Sequence, residues 1–396
     1  MRDERAVGIA VRWGAARSGA GPRGTTSKLW GSQTIAVIAL LTLTIVGLTS
    51  RRAEAQLVVN SNTTISSGTN VSSVEIGNGS TLSVPAGSSL NSSGSIFASP
   101  SMVSGTGTLR VSGGRVTSGG GILGQNMYSV GAATVLSGTW ANSGDLTVGG
   151  DGTGTLTMTG GLVRVGGTLS RGSAGTINLN AGGTLQIGTG ATGGVLLGGT
   201  GALTNNGTLI LNRSDAYTHS GVLSGSGAVV KQGAGTLTLS GTNTYTGGTT
   251  LTAGTLAFGS ANAIGSSGTI SFGGGTLQSS ASNTTDYSAR FSNAASQQYK
   301  IDTNGQSVTL ASNLTSSGGS FTKLGTGTVT LSGANTYTGG TTLTAGTLAL
   351  GSANAIGSAG TISFGGGTLQ STVSNTTDYS ARFSNAASQQ YKIDTN

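Results

Sequence analysis

The 396-residue chain has no cysteine, three prolines, one histidine and eleven acidic residues, and only 8% of it is charged and 5% aromatic. Each shortage excludes something. Without cysteine there is no disulfide framework and no thiolate metal site. A single histidine, His219, cannot form a histidine cluster for zinc. Scarce proline, with glycine off any three-residue period, rules out a collagen-like helix. Eleven Asp and Glu leave few groups for acid–base chemistry. What is abundant is glycine, 73 residues, set among short runs of Thr, Leu, Val and Ile in a chain that is 35% hydrophobic. Such a chain is too apolar and too regular for disorder. It points to an elongated all-β protein.

The net charge of +8 is concentrated at one end. Residues 1–55 hold eight Lys or Arg against three acids, and the remaining residues eleven against eight. In the main body the basic residues stand singly and form no clustered face, so no nucleic-acid partner is expected. Arg2, Arg5, Arg12, Arg17, Arg23 and Lys28 precede an apolar run from Ile35 to Leu48, 14 residues long. That run is short for a membrane span and suits the core of a signal-peptide helix. Ala53-Glu54-Ala55 follows with the small-x-small pattern a signal peptidase reads, which places cleavage between Ala55 and Gln56. An uncleaved signal anchor is the competing reading.

The body is repetitive. Lys231–Asn304 aligns without gaps to Lys323–Asn396, a period of 92 residues with 66 identities in 74 positions. Inside and before this unit, alternating runs recur: Thr108-Leu-Arg-Val111, Thr155-Leu-Thr-Met158, Thr176-Ile-Asn-Leu179, Thr236-Leu-Thr-Leu239 and Thr269-Ile-Ser-Phe272. Alternation sends Leu237 and Leu239 to one face of a strand and Thr236 and Thr238 to the other. Glycine at the flanks supplies corners. Similar runs return after about twenty residues, Leu156 to Ile177, Leu237 to Leu256 and Leu256 to Leu277. We therefore expect a right-handed parallel β-solenoid of roughly fourteen to seventeen coils. Leu237, Leu256, Phe258, Ile270 and Leu277 should point inward.

Gly233-Ala-Gly-Thr-Leu-Thr-Leu-Ser-Gly-Thr-Asn-Thr-Tyr-Thr-Gly-Gly-Thr-Thr250, followed by Ala253-Gly-Thr-Leu256, resembles the autotransporter-associated β-strand repeat, and a second copy runs from Gly325 to Leu348. The motif positions are Gly235, Thr236, Leu237, Asn243, Tyr245, Gly247 and Gly248, and in the second copy Gly327, Thr328, Val329, Asn335, Tyr337, Gly339 and Gly340. Residues 140–190 resemble the upstream solenoid of the same proteins, and the lead-in Asn205–Tyr217 with Gly221–Gly227 also resembles large autotransporter passengers. The resemblance implies a passenger exported to the surface of a Gram-negative bacterium, or secreted from it, with the help of a C-terminal β-barrel. No barrel sequence follows Asn396, so the chain is expected to be a fragment or to use outer-membrane translocation machinery encoded elsewhere. The expected layout is a signal segment at 1–55, solenoid coils at 56–139, a Gly-Thr-Leu-rich solenoid at 140–230 and two copies of the repeat at 231–396.

Candidate chemical sites are weak. Gly119-Gly-Gly-Ile-Leu-Gly124 fits G-x-G-x-x-G, but glycine is common here and no helix or acidic partner follows. Gly149-Gly-Asp-Gly-Thr-Gly154 resembles part of a calcium nonapeptide without its tandem aspartates. Arg213, Asp215, Tyr217 and His219 form an odd-position polar stripe that could hold a sugar or anion, or simply be a solvated strand face. Asp286, Arg290 and Asp302 recur as Asp378, Arg382 and Asp394, a pattern read as local salt bridges in a structural insert. Tyr245 and Tyr337 could stack on a glycan, though covering a coil corner is the simpler role. The expected function is that of a non-enzymatic surface stalk or adhesin without cofactor, with host or matrix glycans as candidate partners. The alternatives are a β-helical polysaccharide lyase or glycosidase, and a glycan-binding or ice-binding solenoid.

Overall fold

A computed structural model describes residues 11–13, 44–45, 55–77, 79–99, 105–197 and 201–395. The signal segment read over 1–55 lies almost wholly outside the described residues. The chain is a parallel stacked β-solenoid of about 15 turns, 50% strand and 2% helical. It divides into two compact units, residues 1–187 with 194–198, and residues 188–193 with 199–396.

In the first unit each turn has three faces, and Gly105–Ser118 and Ser129–Asn142 each run across two of them. The first face stacks Ser80–Pro85, the start of Gly105–Ser118, the start of Ser129–Asn142, Thr153–Met158 and Gly175–Leu179, all parallel and in register. Leu82, Leu109, Ala133, Leu156 and Ile177 thus form one file of Cα partners, and all are buried. The second face carries Leu90, Val116, Trp140, Val163 and Leu185, also buried. Trp140 has its indole N–H satisfied inside by Ser118 Oγ at 3.0 Å. At one corner Gly107, Gly131, Gly154 and Gly175 stack directly. A Cβ on Gly131 would overlap the backbone of Gly124 and Ala98, so only glycine fits where the strand passes against the chain that precedes it.

The second unit holds the duplicated segment. Leu237, Leu256, Leu277 and Ile301 are successive Cα partners, giving coils of 19, 21 and 24 residues. The expected register is borne out: Leu237, Leu256, Phe258, Ile270 and Leu277 are all buried, while Thr236 and Thr238 are not. The intervals Leu156 to Ile177, Leu237 to Leu256 and Leu256 to Leu277 are likewise steps of one coil. Of the differences between copies, Leu237/Val329 and Phe258/Leu350 are buried and stay apolar. The others fall at positions that are not buried.

The two copies do not lie on the same faces. Ala228–Gln232, Thr249–Leu251 and Ile270–Phe272 share one sheet. Their equivalents Ser320–Leu324, Thr341–Leu343 and Ile362–Phe364 continue the neighbouring sheet, above Thr236–Leu239, Thr255–Phe258, Thr276–Gln278 and Gln298–Asp302. With three faces to a turn, one copy runs a third of a turn past a whole number of turns. Gapless sequence alignment cannot reveal this, because coil length varies and only the stacking fixes which face a strand joins.

The absence of native cysteine gives a direct check. A Lys300→Cys, Thr322→Cys chain should join efficiently with a short thiol crosslinker, because these residues are adjacent Cα partners and adjacent strands lie about 4.8 Å apart. Lys300→Cys with Thr328→Cys, the neighbour a whole-turn repeat would supply, should not. The reverse pattern would overturn the shifted stacking.

Candidate functional site

The candidate site is the repeat motif itself, and its polar side chains turn inward to the joints between coils. Asn243 is buried. Its Oδ1 accepts the backbone N–H of Leu223 on the coil below at 2.8 Å, and its Nδ2 donates to the carbonyl of Ala263 on the coil above at 2.5 Å. Asn335 repeats this with Leu314 N–H at 2.7 Å and Ala355 O at 2.6 Å. An unpaired buried backbone group costs about 1–3 kcal/mol, and each of these amides pairs two of them. One amide therefore ties three coils together.

Tyr245 and Tyr337 are fully buried, so they cover a coil corner and present no ring to a glycan. Each hydroxyl pairs with an inward threonine, Thr249 or Thr341, at 2.8 Å. Those threonines break the outward rule of the alternating runs because a buried phenol needs a partner. Gly265 faces the Tyr245 ring and carbonyl so closely that a Cβ there would overlap both, and Gly357 does the same for Tyr337. Gly248 and Gly340 turn the chain at φ of 89° and 94°, beside the backbone of Thr269 and Thr361. At Gly235, Gly247, Gly327 and Gly339 a side chain would strike the backbone of the coil beneath. Thr236 and Thr328 stay on the outer face, and Leu237 and Val329 fill the core.

Two residues that sequence reasoning passed over complete the joint. Lys231 and Lys323 are buried at 2% and 0% exposure, although alternation alone would have marked them as inward positions. Lys231 Nζ donates to the carbonyls of Gln232, Gly233 and Ala253 at 3.2, 2.8 and 3.2 Å. Lys323 Nζ donates to Leu324 O, Gly325 O, Ala345 O and Thr303 Oγ1 at 2.7–3.2 Å. Each ammonium bolts a glycine corner to the coil above. Burial pushes both lysines down to about 8, since a desolvated charge is costly. The carbonyl acceptors keep the ammonium form in place at neutral pH.

The other candidates resolve as structure. Arg290 does not make a salt bridge, which corrects the expected ion pairs of the insert. Its guanidinium donates to the carbonyls of Gly265, Ser267 and Gly268 at 2.7, 2.5 and 2.9 Å, and lies 5.7 Å from the Tyr287 ring. Arg382 repeats this on Gly357, Ala359 and Gly360. Asp286 accepts from the amides of Ser288 and Ala311, and Asp302 from Asn304 N–H and Gln278 Nε2. Asp378 pairs with Ser380 N–H and Asp394 with Gln370 Nε2. Among the described residues the ion pair found is Arg213–Asp215, at 2.7 Å. Its hydrogen bond from Arg213 holds the Asp215 carboxyl below the usual range.

The stripe around that pair is not a solvated face throughout. Arg213 packs 4.6 Å over the Tyr217 ring, and His219 is wholly buried, with Nδ1 3.4 Å from Tyr217 Oη. Arg213, Asp215, Tyr217 and Lys231 line a shallow recess with Leu211, Thr236 and Leu237. Gly120–Leu123 is a strand with no helix after it, and Gly124 turns at φ 71°. Among the described residues no cluster of His, Cys, Asp or Glu could hold a metal ion.

Two outcomes follow from these joints. Asn243→Leu should lower stability by about 2–4 kcal/mol, because it orphans one buried N–H and one buried carbonyl at once. Urea denaturation measures this, and a loss near zero would show that the corner groups find other partners. Stability should also pass through a maximum near pH 10. Lys231 and Lys323 titrate at about 8 when folded and 10.5 when unfolded. Between those values the unfolded chain holds more protons, so stability rises with pH. Tyr299 and Tyr337 are pushed up by burial to about 12 from 10.0. Between those values the folded chain holds more protons, so stability falls with pH. The urea midpoint followed from pH 7 to 11.5 should trace both limbs, and Lys231→Met, Lys323→Met should remove the rising one.

A family model described as the passenger-associated-transport-repeat matches residues 229–258 and 321–350, offset by the same 92 residues as the sequence duplication. Comparison with curated proteins and with solved structures gave no match. Both matched segments begin in the strand that carries the buried lysine and run through the asparagine and tyrosine joints. Such repeats imply export to the cell surface, or secretion, in Gram-negative bacteria. With its parallel β-solenoid and its two passenger-associated transport repeats, the chain fits an autotransporter passenger.

Proposed function

We propose that this chain is an exported structural stalk or adhesin whose repeats assist its own export and folding. Residues 1–55 direct it out of the cytoplasm and are removed at Ala55/Gln56, and a C-terminal translocator barrel or equivalent outer-membrane machinery is its partner. The carrying observation is that the motif side chains Asn243 and Lys231 end in coil-to-coil joints, while Tyr245 closes its own corner on Thr249. Each coil that arrives satisfies groups its predecessor left open. Ordering proceeds from neighbour to neighbour, as in other solenoids. Folding outside the membrane then opposes backward sliding of the chain through its conduit, because every docked coil would have to surrender its joints. No chemistry on a substrate is needed for this work.

The test is surface display. The chain fused to a translocator barrel should become sensitive to external protease, and Asn243→Leu with Asn335→Leu should reduce the displayed fraction several-fold at unchanged barrel insertion. Undiminished display would mean that coil stacking does not drive export.

A further inference from the structure

Threonines that are irregular along the chain become regular across it. On the first face of the first unit, the outward side chains of five successive strands fall in two files of Cα partners. One file is Thr81, Thr108, Ala132, Thr155 and Thr176, and the other is Ser83, Arg110, Thr134, Thr157 and Asn178. Their steps in sequence are 27, 24, 23 and 21 residues, yet no register shift falls within either file. Variation in coil length is taken up elsewhere in the turn. A shorter file, Thr106, Val130 and Thr153, adjoins the first. None of these residues is buried.

The files make a two-dimensional array of small groups. Members of one file lie about 4.8 Å apart, and neighbouring files about 6.7 Å apart along each strand. Branching at Cβ restricts each threonine about its first side-chain bond, which holds methyl and hydroxyl in place. Asn178 Nδ2 donates to Thr157 Oγ1 at 3.3 Å. Among the described residues no protein group bonds to the hydroxyls of Thr108, Thr134 or Thr155, so these are left to water. Of the side chains in the three files, Arg110 alone is charged. In the second unit the outward files Thr236–Thr255–Thr276 and Thr238–Ala257–Gln278 run on to Lys300 and Asp302, which interrupts any such array there.

An almost uncharged surface that repeats in two directions is complementary to a ligand that is itself a periodic array of neutral donors and acceptors. The two repeats are close to those at which oxygens recur on the faces of crystalline ice. Methyl groups restrict the orientation of first-shell water, and the adjoining hydroxyls can then hold it by hydrogen bonds. We propose that this outer threonine face binds the surface of ice crystals, with Thr108, Thr134, Thr155 and Thr157 at its centre. Ala132, which lacks a hydroxyl, and Arg110, which is long and charged, are the two defects of the central array.

Threonine suits any exposed strand, so the discriminating variants are those that complete the array as well as those that break it. The full chain should be drawn from solution into a slowly growing ice front, and it should slow recrystallisation of fine-grained ice. Thr155→Lys with Thr157→Lys should lower the ice-bound fraction by about tenfold or more, because an ammonium keeps its own water. Arg110→Thr with Ala132→Thr should raise it by about twofold or more, each change restoring one hydroxyl to the array. All four positions face outward, so the urea midpoint should stay nearly unchanged in both variants. If the unaltered chain is excluded from ice like an unrelated protein, or if all three chains partition equally, the proposal fails. A neutral polysaccharide retained by the unaltered chain and lost by the lysine variant, with no partition into ice, would make the face a sugar site and would likewise overturn it.

Discussion

A coil of some twenty residues cannot satisfy its own backbone. Its strands pair only with the coils above and below, and everything else in this fold follows from that dependence. Ladder hydrogen bonds serve the three faces, and at the corners coil-to-coil backbone bonds such as Thr246 N–H to Gly225 O are joined by bonds from side chains. The corners are therefore where the sequence spends its unusual residues. Glycine lets the chain turn and lets neighbouring corners touch, as in the stack from Gly107 to Gly175. Asn243, Lys231 and Arg290 then supply the donors and acceptors that turning leaves unmatched.

The buried lysines show how little charge such a core can hold. An ammonium is tolerated because three or more oxygens surround it, whereas a lone buried charge would cost several kcal/mol. A neutral asparagine does a similar task where one N–H and one carbonyl need partners. The arginine guanidinium, with its fixed fork of donors, caps three carbonyls of one loop at once. These are three solutions to one problem, the pairing of backbone groups that the turns leave over. The sparse charge of the chain thus does structural service at these corners.

Much of this was legible before the structure. Alternation in Thr236-Leu-Thr-Leu239 assigned the faces, and the return from Leu237 to Leu256 to Leu277 marked the coils, because burial has a period that side chains must obey. The polar joints were not legible in the same way. Periodicity says that Lys231 points inward but not that carbonyls await it. It marked His219 and Arg213 as a solvated stripe, yet one is wholly buried and the other packs over Tyr217. The paired Asp286 and Arg290 suggested a salt bridge because opposite charges lie close in sequence. In the solenoid the coil below lies nearer than the next few residues, and its carbonyls take the guanidinium instead.

The third-of-a-turn offset decides what the duplication can be for. Successive copies keep every joint, since Asn335, Tyr337 and Lys323 make the same bonds as Asn243, Tyr245 and Lys231. They do not keep a common face, since each strand of the second copy stacks on a different sheet from its equivalent. A ligand array along one side would require whole-turn repeats, so that identical outer residues lined up. Here the outer residues are rotated away and are also where most of the differences between copies lie, while the core differences stay apolar. What the duplication repeats is therefore the interior, the means of docking one coil on another, and it does so whichever face the growing stack presents.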